Sequence, residues 1–279
     1  MTVTGFQSQI TYFQRLIREG TLAHAYLFSG PDMIGKKKSA LEIYGHANPA
    51  GVSQADLLRI APRVSEGEAK IYIDDVREIA SFLSRKPLVG PYKFVVIDDA
   101  HQLTPEASNG LLKVLEEPSP YSVLILVSSQ PKLLLQTITS RCQEVQFLPH
   151  GPDVIRDVVR TKKVGPEDGE LIEYIAGGRL GWAISLIESE GVDDLRRTIG
   201  DFKKLCAQGI TERLQYAKKI HEQDAYTPAV EYWLRWGHAQ MMSGAIAPSV
   251  VRGLLQLRYM ISQPQYNHRS ALENFLIHL

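Results

Sequence analysis

The chain has only two cysteines, Cys142 and Cys206, in 279 residues. Two thiols cannot build a disulfide framework, and no Cys/His cluster has the spacing of a zinc site. Charge of a dominant sign is also missing, because Lys plus Arg and Asp plus Glu both number 31. A zero balance argues against a protein that coats nucleic acid, although it leaves room for a local basic patch. No run of about 18 apolar residues is present, so no membrane-spanning helix is expected. The first residues lack the charged-then-apolar pattern of a secretory leader. A cytoplasmic location is therefore expected. Internal repeats and low-complexity tracts are absent too. What remains is an ordinary globular composition, 44% hydrophobic and 22% charged, in a chain long enough for two or three domains.

The most informative stretch runs from Ala25 to Lys38, Ala-Tyr-Leu-Phe-Ser-Gly-Pro-Asp-Met-Ile-Gly-Lys-Lys-Lys. It reads as a buried strand, a Gly-bearing turn and a helix start. That is the layout of a phosphate-binding P-loop, Gly-x-x-x-x-Gly-Lys-[Ser/Thr]. Gly30, Gly35 and Lys36 fall on the pattern. Lys37 stands where a hydroxyl should hold Mg²⁺, and a charged amine has no lone pair to offer a metal.

Along the chain, Phe6, Ile10, Phe13 and Ile17 recur at helical spacing over residues 5–18. A strand is predicted from Leu22 to Gly30 and a helix from Gly35 to about Gly45. Gly45–Ser65 is weakly patterned and reads as irregular. Lys70–Ile73 is predicted as a short strand, and Asp74 as the N-cap of a helix ending before Pro87. Phe94–Ile97 and Val123–Val127 are continuous apolar runs, as in parallel strands buried on both faces. Thr104-Pro105 caps a helix between them, with Leu111, Leu112 and Leu115 on its inner stripe. Pro131–Ile138 is predicted as a short helix and Val145–Phe147 as a last strand. Alternating strands and helices give a parallel α/β sheet, whose ligand site lies at the carboxyl ends of the strands. Gly30, Asp98 and Ser128 all fall at such ends. Beyond Pro152 the pattern is helical only, with helices predicted at 153–162, 167–176, 179–189, 192–207, 211–222, 226–243, 247–262 and 268–278. Tyr232, Trp233, Trp236 and Tyr259 lie at helical spacing and read as core or subunit-interface residues.

These segments together resemble the delta-prime subunits of bacterial DNA polymerase III clamp loaders, an AAA+ family related to the gamma/tau subunits. The resemblance is carried by Ala23–Phe28, the P-loop, Ile73–Ile79, Lys93–Ala100, Asn109-Gly-Leu-Leu-Lys-Val-Leu-Glu-Glu-Pro118, Thr137-Ile-Thr-Ser-Arg-Cys142 and Gly177-Gly-Arg-Leu-Gly-Trp-Ala183. It implies an AAA+ P-loop α/β domain over 1–150, a small helical lid over 151–190 and an all-α collar over 191–279. The Leu-Leu-Lys-x-Leu-Glu-Glu-Pro and Ser-Arg-Cys elements occurring together are specific to clamp-loader subunits. In the family, the arginine of Ser-Arg-Cys reaches the γ-phosphate of ATP held by a neighbouring subunit. Here that residue would be Arg141. Its bland counterpart is an arginine paired with a surface carboxylate of its own chain.

Against the family pattern, the nucleotide site shows several departures. Asp98 matches the Walker-B Asp, but Asp99 stands where an active member carries a Glu. His101 completes an Asp-Asp-Ala-His run. Trp182 stands where the lid of an active member places an Arg; Arg179, one turn back, is the candidate for a partial substitute, against the plainer reading that nothing replaces the missing cation. The resemblance thus implies a non-hydrolysing stator, with no catalysis by this chain alone and no required cofactor. Two readings of Lys36-Lys37-Lys38 stand side by side, a solvated basic helix start or a remnant cradle that retains ATP or phosphate. Gly30, Gly35, Lys36, Lys37, Lys38, Asp98 and Asp99 make up this degenerate site. The four-cysteine zinc module that the family places near 45–60 has no cysteines here; His46 alone cannot hold zinc, and none is expected. The implied partners are gamma/tau-type and delta-type subunits, with the sliding clamp and primed DNA reached through the complex. The rival readings are a working gamma/tau-like ATPase and a P-loop binding module outside replication.

Overall fold

The computed structural model describes residues 5–48, 54–65 and 68–279. Contacts divide the chain into two units. One holds the residues up to His150 together with Arg179–Gly181, and the other holds Gly151–Gly178 with Trp182–Leu279. The residues expected as lid and as collar fall almost entirely within this second unit.

The first unit runs α1 (Gln7–Glu19), β1 (Ala25–Ser29), α2 (Lys36–Ala47), β2 (Leu57–Ile60), β3 (Arg63–Ser65), β4 (Glu68–Lys70), α3 (Ile73–Leu83), β5 (Lys93–Ile97), α4 (Pro105–Glu116), β6 (Ser122–Ser128), α5 (Gln136–Thr139) and β7 (Gln143–Gln146). Five strands form one parallel sheet in the order β2-β5-β6-β1-β7. The central strands bury both faces, and their side chains alternate between two cores. Ala25, Leu27, Val95, Ile97, Leu124 and Leu126 pack with α3 and α4 through Ile79, Leu111 and Leu115. Tyr26, Phe28, Phe94, Val96, Val123 and Ile125 pack on the other side with Phe13 of α1 and Ile43 and Tyr44 of α2. The register sets Ser29 beside Ser128 and Ile97 beside Leu126, which brings the carboxyl ends of β1, β5 and β6 level. The P-loop and Asp98 are thereby placed side by side.

Local chemistry explains most boundaries, and four expectations need correction. The predicted cap of α4 is present, with the Thr104 hydroxyl accepting from the Ala107 N–H at 3.2 Å and Pro105 at the first position. At α3 the cap is Tyr72, not Asp74. The Asp75 carboxylate accepts from the Tyr72 N–H at 2.7 Å, while Asp74 points outward to Arg77. Part of the supposedly irregular stretch 45–65 is ordered as β2 and β3. Among the described residues strand β2 is an edge strand paired with β5 alone, and its exposed Arg59 breaks the apolar run that would have marked it. Residues 49–53 of that stretch lie outside the described residues. The strand expected at Lys70–Ile73 is β4, antiparallel to β3, and Ile71 leaves it to bridge Leu103. The helix expected over Pro131–Ile138 is broken into a turn and α5, because Leu134 is drawn into the core in extended conformation.

The second unit is all helix: α6 (Pro152–Thr161), α7 (Pro166–Ala176), α8 (Leu180–Glu188), α9 (Val192–Ala207), α10 (Ile210–Glu222), α11 (Tyr226–Met242), α12 (Pro248–Ile261) and α13 (His268–Ile277). Each end lies within one residue of its sequence expectation. The core is centred on Trp233, whose ring stacks on Phe202 at 4.9 Å between centroids and whose indole N–H donates to the Thr198 carbonyl. Trp236 is buried beside it, whereas Tyr259 is exposed. The Asp168 carboxylate accepts two hydrogen bonds from Arg196, at 2.7 and 2.8 Å, and ties α7 to α9. Among the described residues no helix is long and apolar enough to cross a membrane.

Candidate functional site

The loop after β1 keeps the backbone of a P-loop. Gly30 has φ 142°, and a Cβ there would lie 2.1 Å from the Phe147 carbonyl oxygen, so only glycine fits. Gly35 (φ 114°) and Met33 (φ 57°) complete the turn in the left-handed region. The Lys36 side chain is buried and folds back on its own loop, donating to the carbonyls of Gly30 (2.7 Å) and Pro31. Burial lowers its pKa, and the charges of Asp32, Asp99 and Asp98 oppose that shift.

Lys37 reaches across to the end of β5. Its Nζ lies 2.9 Å from Asp98 Oδ2, with the amine half exposed. In water such a pair is worth about 0–1 kcal/mol, so its consequence lies in position rather than in strength. An ammonium occupies the carboxylate that would help hold Mg²⁺, at the position where the metal's hydroxyl ligand should stand. The nearest following hydroxyl, Ser39, donates to the Gly35 carbonyl at 3.2 Å and is fully buried. The residues present therefore do not fit a Mg²⁺ ion. The cleft has a volume of about 350 Å³ and sets Asp32, Asp98 and Asp99 against Lys36, Lys37 and Lys38. The formal charges of these six side chains cancel.

The neighbouring groups are each engaged within the chain. Asp99 sits in the left-handed region (φ 44°), and burial, then the charge of Asp98, push its pKa up. Ser128, at the end of β6, is buried; its hydroxyl lies 3.4 Å from His101 Nδ1 and accepts from the Gln130 N–H. In the helical unit Trp182 is 7% exposed, and the Arg235 guanidinium lies over its ring at 5.1 Å. Trp182 is thus a buried residue. His46 lies on α2 beside Glu42 and Gln14.

Arg141 follows α5 on a loop anchored from below by Cys142, which packs against the core and whose thiol burial pushes up to about 11. That thiol is a packing group and not a reactive one. The Arg141 guanidinium donates to the Thr137 carbonyl at 3.0 Å and to Glu116 Oε1 at 2.9 Å, and its side chain is 37% exposed. Exposed Leu133 and Leu135 lie on the same segment. The own-chain pairing that rivals the trans-acting reading is therefore present. Glu116 reads from sequence only as the solvated end of a helix or an interface contact. Its contact with Arg141 spans 25 residues, and nothing local in the sequence announces it.

A family model described as "DNA polymerase III, delta subunit" matches residues 50–151. The chain is 31% identical over 169 residues to DNA polymerase III subunit delta' of Bacillus subtilis (strain 168), covering 56% of this chain and 51% of that protein. It is 32% identical over 208 residues to subunit delta' of Pseudomonas aeruginosa, covering 67% of this chain and 63% of that protein. Among solved structures, a DNA polymerase III gamma subunit-related protein of Thermotoga maritima superposes with a TM-score of 0.63 at 21% identity, over 96% of this chain and 97% of that one. The parallel sheet, the P-loop at the end of β1 and the helical C-terminal region define the fold of a P-loop α/β protein with a helical C-terminal region, the fold of that gamma subunit-related protein. The matched segments span between about half and two thirds of the delta' relatives' length. Over these segments the chain is similar to the delta' subunits of DNA polymerase III.

Proposed function

We propose that this chain is a delta-prime-type subunit that acts as a non-hydrolysing stator in a cytoplasmic clamp loader. In this reading it completes a ring with gamma/tau-type and delta-type subunits. It presents Arg141 to ATP bound by a gamma/tau neighbour, and the complex places a sliding clamp on primed DNA. The observation that carries the reading is the Lys37–Asp98 ion pair, which puts a protein cation where catalysis needs a metal. The burial of Trp182, with the Arg235 guanidinium over its ring, gives it further support. So does the exposure of Arg141, whose guanidinium keeps N–H donors beyond those given to Thr137 and Glu116.

The test has two arms. The isolated chain is expected to show no Mg²⁺-dependent ATP hydrolysis, with or without primed DNA. In the reconstituted complex, Arg141→Ala is expected to slow hydrolysis at the site it faces by on the order of a thousandfold, the scale of other arginine fingers. Robust turnover by the isolated chain would replace the stator with a gamma/tau-like ATPase. An unchanged rate in the Arg141→Ala complex would remove the trans-acting role.

A further inference from the structure

We infer that Glu116 is the positioning residue for Arg141, holding the guanidinium in a fixed outward orientation before a neighbour's nucleotide arrives. The inference rests on the proposed trans-acting role of Arg141. Both ends of the pair grow from packed structure. Glu116 is the last residue of α4, directly after buried Leu115, and α4 is seated on the sheet by Ala107, Leu111 and Leu115. Arg141 is tied to α5 by its own N–H, which donates to the Ile138 carbonyl at 3.1 Å, and Cys142 plants the loop in the core.

A guanidinium carries five N–H donors in one plane. Thr137 O takes one on Nη1 and Glu116 Oε1 takes one on Nη2, so two acceptors on different elements fix both the position and the plane of the fork. Three donors remain for an incoming anion. With Thr137 alone the side chain could swing about a single bond, and its rotamer freedom would have to be lost again on each encounter. A preformed fork avoids that loss, as preorganised groups do in catalysis. The pair is one-armed and its partners are 37% and 50% exposed, which is too weak a contact to withhold Arg141 from a phosphate. Glu116 is therefore a positioner and not a lock.

The test uses the reconstituted complex with wild-type chain and with Glu116→Ala, Glu116→Gln, Arg141→Ala and the double variant. Steady-state ATP hydrolysis is measured as kcat and KM, alongside complex assembly. Glu116→Ala is expected to lower kcat by roughly threefold, the scale of an exposed ion pair, with KM and assembly unchanged. Glu116→Gln keeps an acceptor and is expected to recover part of the loss. The double variant is expected to be no slower than Arg141→Ala alone, since the two residues act as one group. A wild-type kcat in Glu116→Ala alongside a slow Arg141→Ala overturns the inference and leaves the trans-acting role standing. A double variant slower than Arg141→Ala by the same threefold factor also overturns it, because Glu116 would then act elsewhere. A wild-type rate in Arg141→Ala removes both.

Discussion

Lys37 Nζ and Asp98 Oδ2 stand 2.9 Å apart, joining the first turn of α2 to the end of β5 across the P-loop cleft. The first prediction tests this pair directly. Wild-type chain titrated with a fluorescent ATP analogue is expected to show the same affinity with Mg²⁺ as with EDTA. Lys37→Thr removes the competing cation and supplies a hydroxyl, and it is expected to bind roughly tenfold more tightly with Mg²⁺ than without, about 1.4 kcal/mol. A strong Mg²⁺ dependence already present in the wild type would show that the ion pair does not displace the metal.

A second prediction concerns the loop before β5. The buried carboxylate of Asp56 accepts the N–H groups of Leu88, Val89 and Gly90, at 2.7 to 3.1 Å. Burial alone would raise its pKa, but the three N–H donors and Lys93 outweigh burial and hold it below the usual carboxylate range. A carboxyl depressed in the folded state stabilises above its unfolded pKa, about 3.9, and that contribution is lost as pH falls through the lower folded value. Asp56→Ala is expected to cost roughly 2–4 kcal/mol at neutral pH, by leaving three donors unmet. Urea melts from pH 7 down to pH 3 check both points. The gap between variant and wild type should narrow below about pH 4, and a gap that stays constant with pH contradicts the assignment.

The third prediction asks whether the lid cation can be restored. Trp182→Arg matches the family pattern, yet it would set a second guanidinium beside Arg235 in a site that is 7% exposed. It is expected to destabilise the helical unit by roughly 3 kcal/mol and to add nothing to nucleotide affinity. Chemical denaturation followed by the remaining tryptophan fluorescence reads the first effect, and the analogue titration reads the second. A stable variant with improved ATP binding would mean that Trp182 stands in the nucleotide's way.

Much of the architecture is legible in the sequence, for identifiable reasons. Phe94–Ile97 and Val123–Val127 are buried on both faces, so every residue in them is apolar and the run is unbroken. The C-terminal helices alternate at one clear period between short polar breaks. Elements built by pairing with one neighbour were hidden. Strand β2 reads Leu-Leu-Arg-Ile, which is too short and too mixed to stand out. Asp56 looks like any loop acid until Leu88, Val89 and Gly90 are folded over it. The cap of α3 moved by two residues because Asp74 and Asp75 are adjacent and only geometry shows which one turns back.

The sequence by itself determined the strand–loop–helix order, the glycines at 30 and 35, and the replacement of the metal-binding hydroxyl by Lys37. It did so because these depend on residue type and on spacing along the chain. Tertiary structure decided what those residues do. Lys37 finds Asp98 only because parallel register sets β1 and β5 level in one sheet. Arg141 finds Glu116 only because α4 and α5 pack on the same face of that sheet. Both pairs join residues far apart in the chain, and charge pairing at such range is set by packing, which no local pattern encodes.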